Sequence, residues 1–378
     1  MSGITVNAGI QTTVIITIDS IPLPPQIAIY SAVIREDTLY AAPTLDLVLA
    51  DPANIIGSAI KLLDGTLITC SIFSTDEVSP LTFKVASVNP SKRGTTSFYT
   101  INAYYKSDLL FPKDAWTFTG NASDALQNII SLDSNANSVK YMTNFVSTSE
   151  LNKSNYKKYA NESFAGYFRR VLFPSMPLNS VSYFAYYHSG FTVKLMNLLA
   201  LLQNYTQTDT SPVLTANSYM QWVLNSNSMH SNLQNTSYGG AIYQFNIHDG
   251  TWQKNNEAKG YAKYNINQDS TIVNKQVNIV GSSVGNHPAG YLSGMSQNIK
   301  NKGAFNVELT VQLNYQTNFQ GLQVIPLYYD KSKFIPLIVG GKSIIMRNGM
   351  YEEQIKFIAN QIDQSVLSTL GISTQGGG

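Results

Sequence analysis

Apolar residues alternate along the first hundred positions. Val14, Ile16 and Ile18, then Ile27 and Ile29, then Leu45, Leu47 and Leu49 form short period-two runs separated by Pro and Asp/Ser signals, the pattern of half-buried strands. Asp51-Pro52 breaks the third run, and residues 53–63 read as a short helix or an irregular connection before the Asp64-Gly65 turn signal. Alternation returns over residues 67–73, 81–88 and 98–105, completing a sheet of about six strands, enough to curl into a small barrel. Residues 1–112 therefore read as a first β domain.

The period then changes. Asn121 stands as an N-cap before Ala122, Leu126, Ile129 and Ile130, with Asp124 in the first turn. Asn161 and Ser163 are cap candidates for a second helix, whose Phe164, Phe168, Val171 and Leu172 share one face and which Pro174 should stop. Val181, Tyr183, Ala185 and Tyr187, a His188-Ser189-Gly190 turn, and Phe191, Val193 and Leu195 predict a hairpin. Residues 144–159, rich in Ser, Asn and Lys, predict a mobile loop, and 204–235 is polar and turn-rich. A strand through Ile242, Tyr243, Phe245 and Ile247, closed by His248-Asp249-Gly250, is expected to pair back onto this α+β region. Another strand over 271–280 and a short helix over 288–300 follow. Alternation resumes at Phe305, Val307, Leu309 and Val311 and continues over 321–327, 334–339 and 351–357. The reading is mainly β with an α+β insertion: a β-barrel over 1–112, a central region over 113–299, a second barrel over 300–365 with a segment from 204–235 as the candidate to complete it, and a flexible tail over 366–378. Gly65 and Gly321 each launch a strand, a second strand follows at Phe83 and at Phe334, and a third at Tyr99 and at Tyr351, which predicts that the two β domains are copies of one fold.

Composition narrows what such a chain can do. Its 378 residues suit two to four domains with real interiors. Only 13% are Asp, Glu, Lys or Arg and the net charge is +2, so the surface is largely uncharged polar and carries no electrostatic footprint for nucleic acid or acidic lipid. Lys153, Lys157 and Lys158 are the nearest thing to a basic cluster and read as a solvated loop. Cys70 is alone, which excludes an internal disulfide, and its Ile68 and Ile72 flanks suggest a buried strand position. The opening Met-Ser-Gly-Ile-Thr lacks a basic start and long apolar core, so secretion is not expected. The most apolar run, 191–202, is broken by Lys194 and Asn197 and falls short of the roughly 18 residues a membrane span needs.

Catalytic patterns are weak. Gly281-Ser-Ser-Val-Gly285 fits G-x-S-x-G, but Asn286-His287-Pro288 breaks the helix that would give Ser283 its geometry, and His287 is too near to act as its base. Gly341-Lys342-Ser343 ends like a phosphate-binding loop, yet Pro336 stands where the first glycine is needed. His188, His230, His248 and His287 are isolated, which argues against a His-based zinc site. A carboxylate dyad could still be assembled from distant strands. The 23 Tyr and 16 Phe could stack on sugars, but their alternation within strands favours core packing.

The order of several stretches resembles a known family. Residues 121–130 (Asn-Ala-Ser-Asp-Ala-Leu-Gln-Asn-Ile-Ile), 161–172 (Asn-Glu-Ser-Phe-Ala-Gly-Tyr-Phe-Arg-Arg-Val-Leu) and the Ser189-Gly190 hairpin resemble the central part of baseplate hub proteins of contractile-tailed phages, a scaffold shared with the spike proteins of type VI secretion. Residues 238–250, 305–311 followed by Gly321-Leu-Gln-Val, and Met350-Tyr-Glu-Glu-Gln-Ile-Lys-Phe extend the match over most of the chain. The resemblance implies a homotrimeric ring of two barrel-like domains per chain, joining the six-fold tail tube to the three-fold spike around the channel through which DNA passes. It implies tube, spike and other baseplate proteins as partners, a place in the virion after synthesis in the host cytoplasm, and neither active site, cofactor nor metal. No lysozyme-like, peptidase or spike segment is attached, so any such activity is expected on a partner chain. The competing expectation is a cell-wall-directed enzyme or glycan-binding virion protein, favoured by a tight Glu/Asp pair in a cleft or an exposed aromatic platform.

Overall fold

The computed structural model describes residues 4–8, 10–37, 42–73, 80–110, 112–133, 139–144, 146, 151, 153–176, 184–206, 212–215, 221–224, 237–246, 251–261, 278–282, 305, 307–330, 333–347, 350–359 and 364–371. The first block holds β1 (Ile4–Ala8), β2 (Ile10–Ile18), β3 (Ala28–Asp37), β4 (Thr44–Asp51), β5 (Leu67–Phe73), β6 (Leu81–Arg93) and β7 (Thr96–Tyr105). The central region holds β8 (Trp116–Asn121), α1 (Ala122–Ser131), β9 (Lys140–Met142), β10 (Lys153–Lys158), α2 (Phe164–Tyr167), a π turn (Phe168–Leu172), α3 (Phe173–Ser175), β11 (Phe184–His188), β12 (Thr192–Asn197) and α4 (Leu198–Gln203). After Leu214–Thr215 and β13 (Gln221–Leu224) come β14 (Ser237–Asn246), β15 (Thr251–Tyr261) and β16 (Asn278–Ser282). The last block holds β17 (Val307–Leu313), β18 (Val324–Tyr328), β19 (Phe334–Arg347), β20 (Met350–Ala359) and α5 (Gln364–Thr369).

The fold is mainly β, and the two blocks are parts of one sheet. Its path runs β1-β2-β5-β6-β7-β4-β3-β19-β20-β17-β13, with β18 on the near half of β19 and Leu214–Thr215 beside β18. The path has two ends, so neither block closes into a barrel by hydrogen bonding among the described residues. The seam is β3 against β19, from Ser31↔Arg347 to Asp37↔Gly341. Because β19 is paired over 341–347 on both edges, Gly341-Lys342-Ser343 lies inside a strand and makes no phosphate loop.

Each block repeats the other's strand order. Block one runs β2-β5-β6-β7-β4-β3, and block two runs Leu214–Thr215, β18-β19-β20-β17-β13; ranked by chain position within its block, each strand occupies the same place. One pairing differs in sense, since β2 meets β5 antiparallel and Leu214–Thr215 meets β18 in parallel. The central hairpins share their detail: Arg93↔Thr96 and Arg347↔Met350 both leave two residues for the turn, and at the same remove from it the ladder slips by one, between Val85 and Ser87 and between Val339 and Gly341. Such a bulge bends and twists its strand. Ahead of each hairpin, one backbone device recurs. Gly65, at φ 90°, donates its N–H to Val85 O at 2.8 Å, and Val85 returns one to Thr66 O at 2.9 Å; Leu322, at φ 59°, donates to Val339 O at 2.8 Å, and Val339 returns one to Gln323 O at 2.9 Å. The left-handed residue in block two is thus Leu322 rather than Gly321. Core positions follow suit, with Leu45, Leu47 and Leu49 of β4 and Leu309, Val311 and Leu313 of β17 all buried.

In the central region Asn121 caps α1, its side chain accepting from the Asp124 N–H. Ser163, not Asn161, caps α2, accepting from Gly166 at 3.1 Å. The helix continues past its expected stop, because the chain widens before Pro174 into a π turn in which the Phe173 N–H reaches back to Phe168 O. Proline has no N–H to give, and a wider turn takes up the mismatch. β10 pairs with β8 from Trp116↔Lys158 to Asn121↔Lys153, so the Lys153–Lys158 part of the expected loop is a strand. Within it Lys158 is buried, its ammonium held by Tyr159 O and Glu162 O at 2.8 Å each and lying over the Phe164 ring.

Three further expectations change. β14 pairs with β15 and β16 in a separate three-stranded sheet rather than with the central strands. Residues 53–63 form turns with one Ile56↔Ile60 bridge, the irregular alternative. The start of the expected tail is α5, whose Val366 is 1% exposed and packs into the core of block two with Leu214 and Phe357. The 288–300 helix and the 372–378 remainder of the tail lie outside the described residues.

Candidate functional site: the seam between the blocks

The hairpin β11–β12 sits across the seam. Both strands are buried on both faces: Phe184, Tyr186, Val193 and Leu195 join the core of the central region, while Ala185, Tyr187 and Met196 turn toward Leu322, Val324 and Ile338 of block two. At its tip Gly190 takes φ 89° and hands its carbonyl to the Tyr105 hydroxyl of block one at 2.7 Å. A Cβ there would stand 2.8 Å from Leu81 and 3.0 Å from the Tyr105 ring, so the fit demands glycine. On the other side, a Cβ at Gly321 would stand 2.2 Å from the Tyr187 ring. Close approach, not a turn, accounts for that glycine. One hairpin therefore touches both blocks.

Beneath it lies a charged cluster drawn from all three parts of the fold. Glu353 of β20 is fully buried, and its carboxylate is saturated: Lys342 pairs with Oε1 at 2.8 Å, Tyr351 donates to Oε1 at 2.8 Å, and Thr317 donates its N–H and hydroxyl to Oε2 at 2.9 and 2.7 Å. Lys342 also donates to Thr317 O at 3.0 Å. Glu36 of β3 accepts a 2.8 Å hydrogen bond from the Tyr187 hydroxyl. Burial pushes the Glu36 carboxyl up to about 7; the Tyr187 bond, Lys342 and Lys194 pull the other way, and Glu353 adds to the rise. Burial, together with the charge of Glu36, also drives the Tyr187 phenol well above its ordinary range. Lys194 of β12 reaches Gly321 O at 3.0 Å and Gln320 at 3.2 Å, and its ammonium is pulled below the lysine range by burial. On the opposite face of the seam Lys356 pairs with Asp37 at 2.6 Å, and Arg35 pairs with Asp46.

Glu36 and Glu353, carboxylates from distant strands, lie within electrostatic reach of each other here, an arrangement the sequence left open, but their surroundings are those of a joint. Every oxygen of Glu353 is taken, and a buried charge with all its bonds filled has none left for a substrate. Among the described residues no group of three or more His, Cys, Asp or Glu could hold a metal. No described helix is long and apolar enough to cross a membrane. Cys70 is buried and its thiol is pushed up to about 12 by burial. His188 is 3% exposed between the rings of Tyr105 and Tyr186, a packing role. Ser283, Gly285, His230, His248 and His287 lie outside the described residues. Sequence reasoning missed Glu36, Tyr187, Lys342 and Glu353 as a set because each sits on a different strand. The one signal was a charge within an apolar alternation, as Glu353 stands between Tyr351 and Ile355.

No protein-family profile matches the sequence, and neither does any curated protein. Solved structures do resemble it. A tail protein of Neisseria meningitidis MC58 superposes with a TM-score of 0.54 at 11% identity, over 95% of this chain and 98% of that one. The 43 kDa tail protein of prophage MuSo2 from Shewanella oneidensis gives 0.57 at 8% identity, over 92% and 98%. A chain of the Francisella PdpA–VgrG complex gives 0.51 at 12% identity, over 94% of this chain and 59% of that one. At these identities the likeness is one of fold, and along this chain it runs nearly end to end: the chain has the fold of the two tail proteins, which it shares with part of the VgrG-complex chain.

Proposed function

We propose that this chain is a structural hub protein of a contractile phage tail, three copies of which form a ring that adapts the six-fold tail tube to the three-fold spike and surrounds the DNA channel. The observation that carries this reading is the repeat: two blocks with one strand order, one bulge position and one left-handed lead-in. A trimer of such chains presents six similar surfaces to the tube and three identical chains to the spike, so neither junction is mismatched. The two blocks are then the barrel-like tube domains, with curvature completed in the ring. The tail-protein neighbours and the match to a chain of a VgrG complex support tube, spike and other baseplate proteins as partners and the virion baseplate as its place. In this reading the chain has no catalytic role, and DNA passes without specific recognition. The saturation of Glu353 supports a structural role for that carboxylate over the acid–base work a cell-wall enzyme would ask of it. Sedimentation analysis tests the proposal: it predicts a species of about 125 kDa, three times the 41.6 kDa chain. A protein that stays at one chain mass at every concentration, and also in the presence of its tube and spike partners, would count against it.

A further inference from the structure

Resting on the ring reading, we infer the strand pairing and register that join one copy of this chain to the next. The repeat supplies it. Within one chain the blocks meet by β3 of block one against the 341–347 half of β19 in block two. The bulge and turn registers equate 341–347 with 87–93 of β6, and the β4 and β17 registers equate Ser31 with Gln221 of β13. Both counterparts are open. β5 covers only Leu81–Lys84 on the outer edge of β6, and β13 is the last strand of the path, with no second neighbour among the described residues. Repeating the internal seam between molecules lays β13 of one copy antiparallel along β6 of the next, with Gln221 opposite Arg93, Trp222 opposite Lys92, Val223 opposite Ser91 and Leu224 opposite Pro90. The contact is head-to-tail, which generates a closed ring when the rotation closes.

The chemistry of the two edges fits an interface made late. Inside the chain, Met346 and Tyr351 carry block two into the core of block one, whereas the equivalent positions in block one are Lys92 of β6 and Ser97 of β7. Residues 89–93 are exposed, so a polar edge keeps the free chain in solution until its partner arrives. Arg93 and Thr96 flank a two-residue turn and bond each other, which directs the N–H positions of 92 and 90 outward. Pro90 therefore leaves the outer ladder one donor short, and a strand tolerates that loss at an edge. Across the junction Lys92 meets Trp222, a pair suited to cation–π contact. The Trp222 indole N–H is buried without an acceptor among the described residues, as befits a half-built site.

By the same alternation Ser91 and Val223 form a non-hydrogen-bonded pair, where Cα atoms lie about 4.5 Å apart and a disulfide can close. In the full chain, Ser91→Cys with Val223→Cys should crosslink on mild oxidation and shift the non-reduced protein from 41.6 kDa to two- and three-chain masses. Val33→Cys with Ile345→Cys, opposite each other in the internal seam, should close without a mass shift. Asn89→Cys with Val223→Cys, two residues out of register on the same face, should lose the shift. Cys70 is buried and does not compete. If the unmodified protein is a trimer but 91/223 fails to link, or 89/223 links instead, this register is wrong while the ring reading stands. If the protein is a monomer throughout, the ring reading falls and the register with it.

Discussion

Glu353 is the residue whose removal should matter most. It is 0% exposed and answers the charge of Lys342, whose side chain is only 10% exposed. Glu353→Gln keeps the shape but strands the buried ammonium, and breaking a buried pair in this way costs about 3–5 kcal/mol. A denaturant midpoint that does not fall would refute the assignment. Glu36 should behave in the opposite sense. Its carboxyl is raised from the ordinary 4.5 to about 7, so ionisation opposes folding: the penalty is absent below about pH 4.5 and complete above about pH 7. Glu36→Gln should therefore gain stability at pH 8 relative to pH 5, by up to about 3 kcal/mol, the worth of roughly 2.5 pKa units. Parallel pH profiles for the mutant and the parent protein would contradict it. Glu353 left only a charge within an apolar alternation as its trace in the sequence and Glu36 left none, since burial of a charge is a tertiary fact.

At the scale of elements, what could be read in advance was whatever buries one face. Val14, Ile16 and Ile18, Leu45, Leu47 and Leu49, and Leu309 and Val311 alternate because their partners in the alternation face away from the core. The caps Asn121 and Ser163 were legible for a similar reason, being local chemistry. β15 was not: Thr-Trp-Gln-Lys-Asn-Asn-Glu-Ala-Lys-Gly-Tyr has no strand period, and pairing with β14 alone makes it one. The expected strand ends at Val339, before Gly340-Gly341, whereas two neighbouring ladders carry β19 on to Arg347. The hairpin β11–β12 was found, but its double burial was not, since a bridge between blocks has no signature in its own residues. Its role can be tested at Gly321. Gly321→Ala drives a methyl into the Tyr187 ring, and overpacking of this kind costs about 1–3 kcal/mol. Thermal unfolding should show that loss, and additional Tyr187→Leu should recover part of it. Equal melting temperatures for Gly321→Ala and the parent protein would mean the hairpin does not press on the seam.

At the scale of the whole molecule, one sheet carries two like blocks, and a third unit is wedged against their junction. Neither the seam nor the repeat needs a ligand, a metal or a catalytic group to make sense. Both make sense if the sheet is an arc of a larger ring. The earlier glycine spacing pointed to duplication through Gly65 and Gly321, and the hydrogen bonds place the correspondence one residue on, at Leu322. The most direct measurement is an electron-microscopy image of the purified assembly viewed down its axis. The account predicts a ring with a central opening, six similar lobes and three-fold symmetry. A compact single-chain particle, or a closed assembly whose lobes are not multiples of the two blocks, would contradict it.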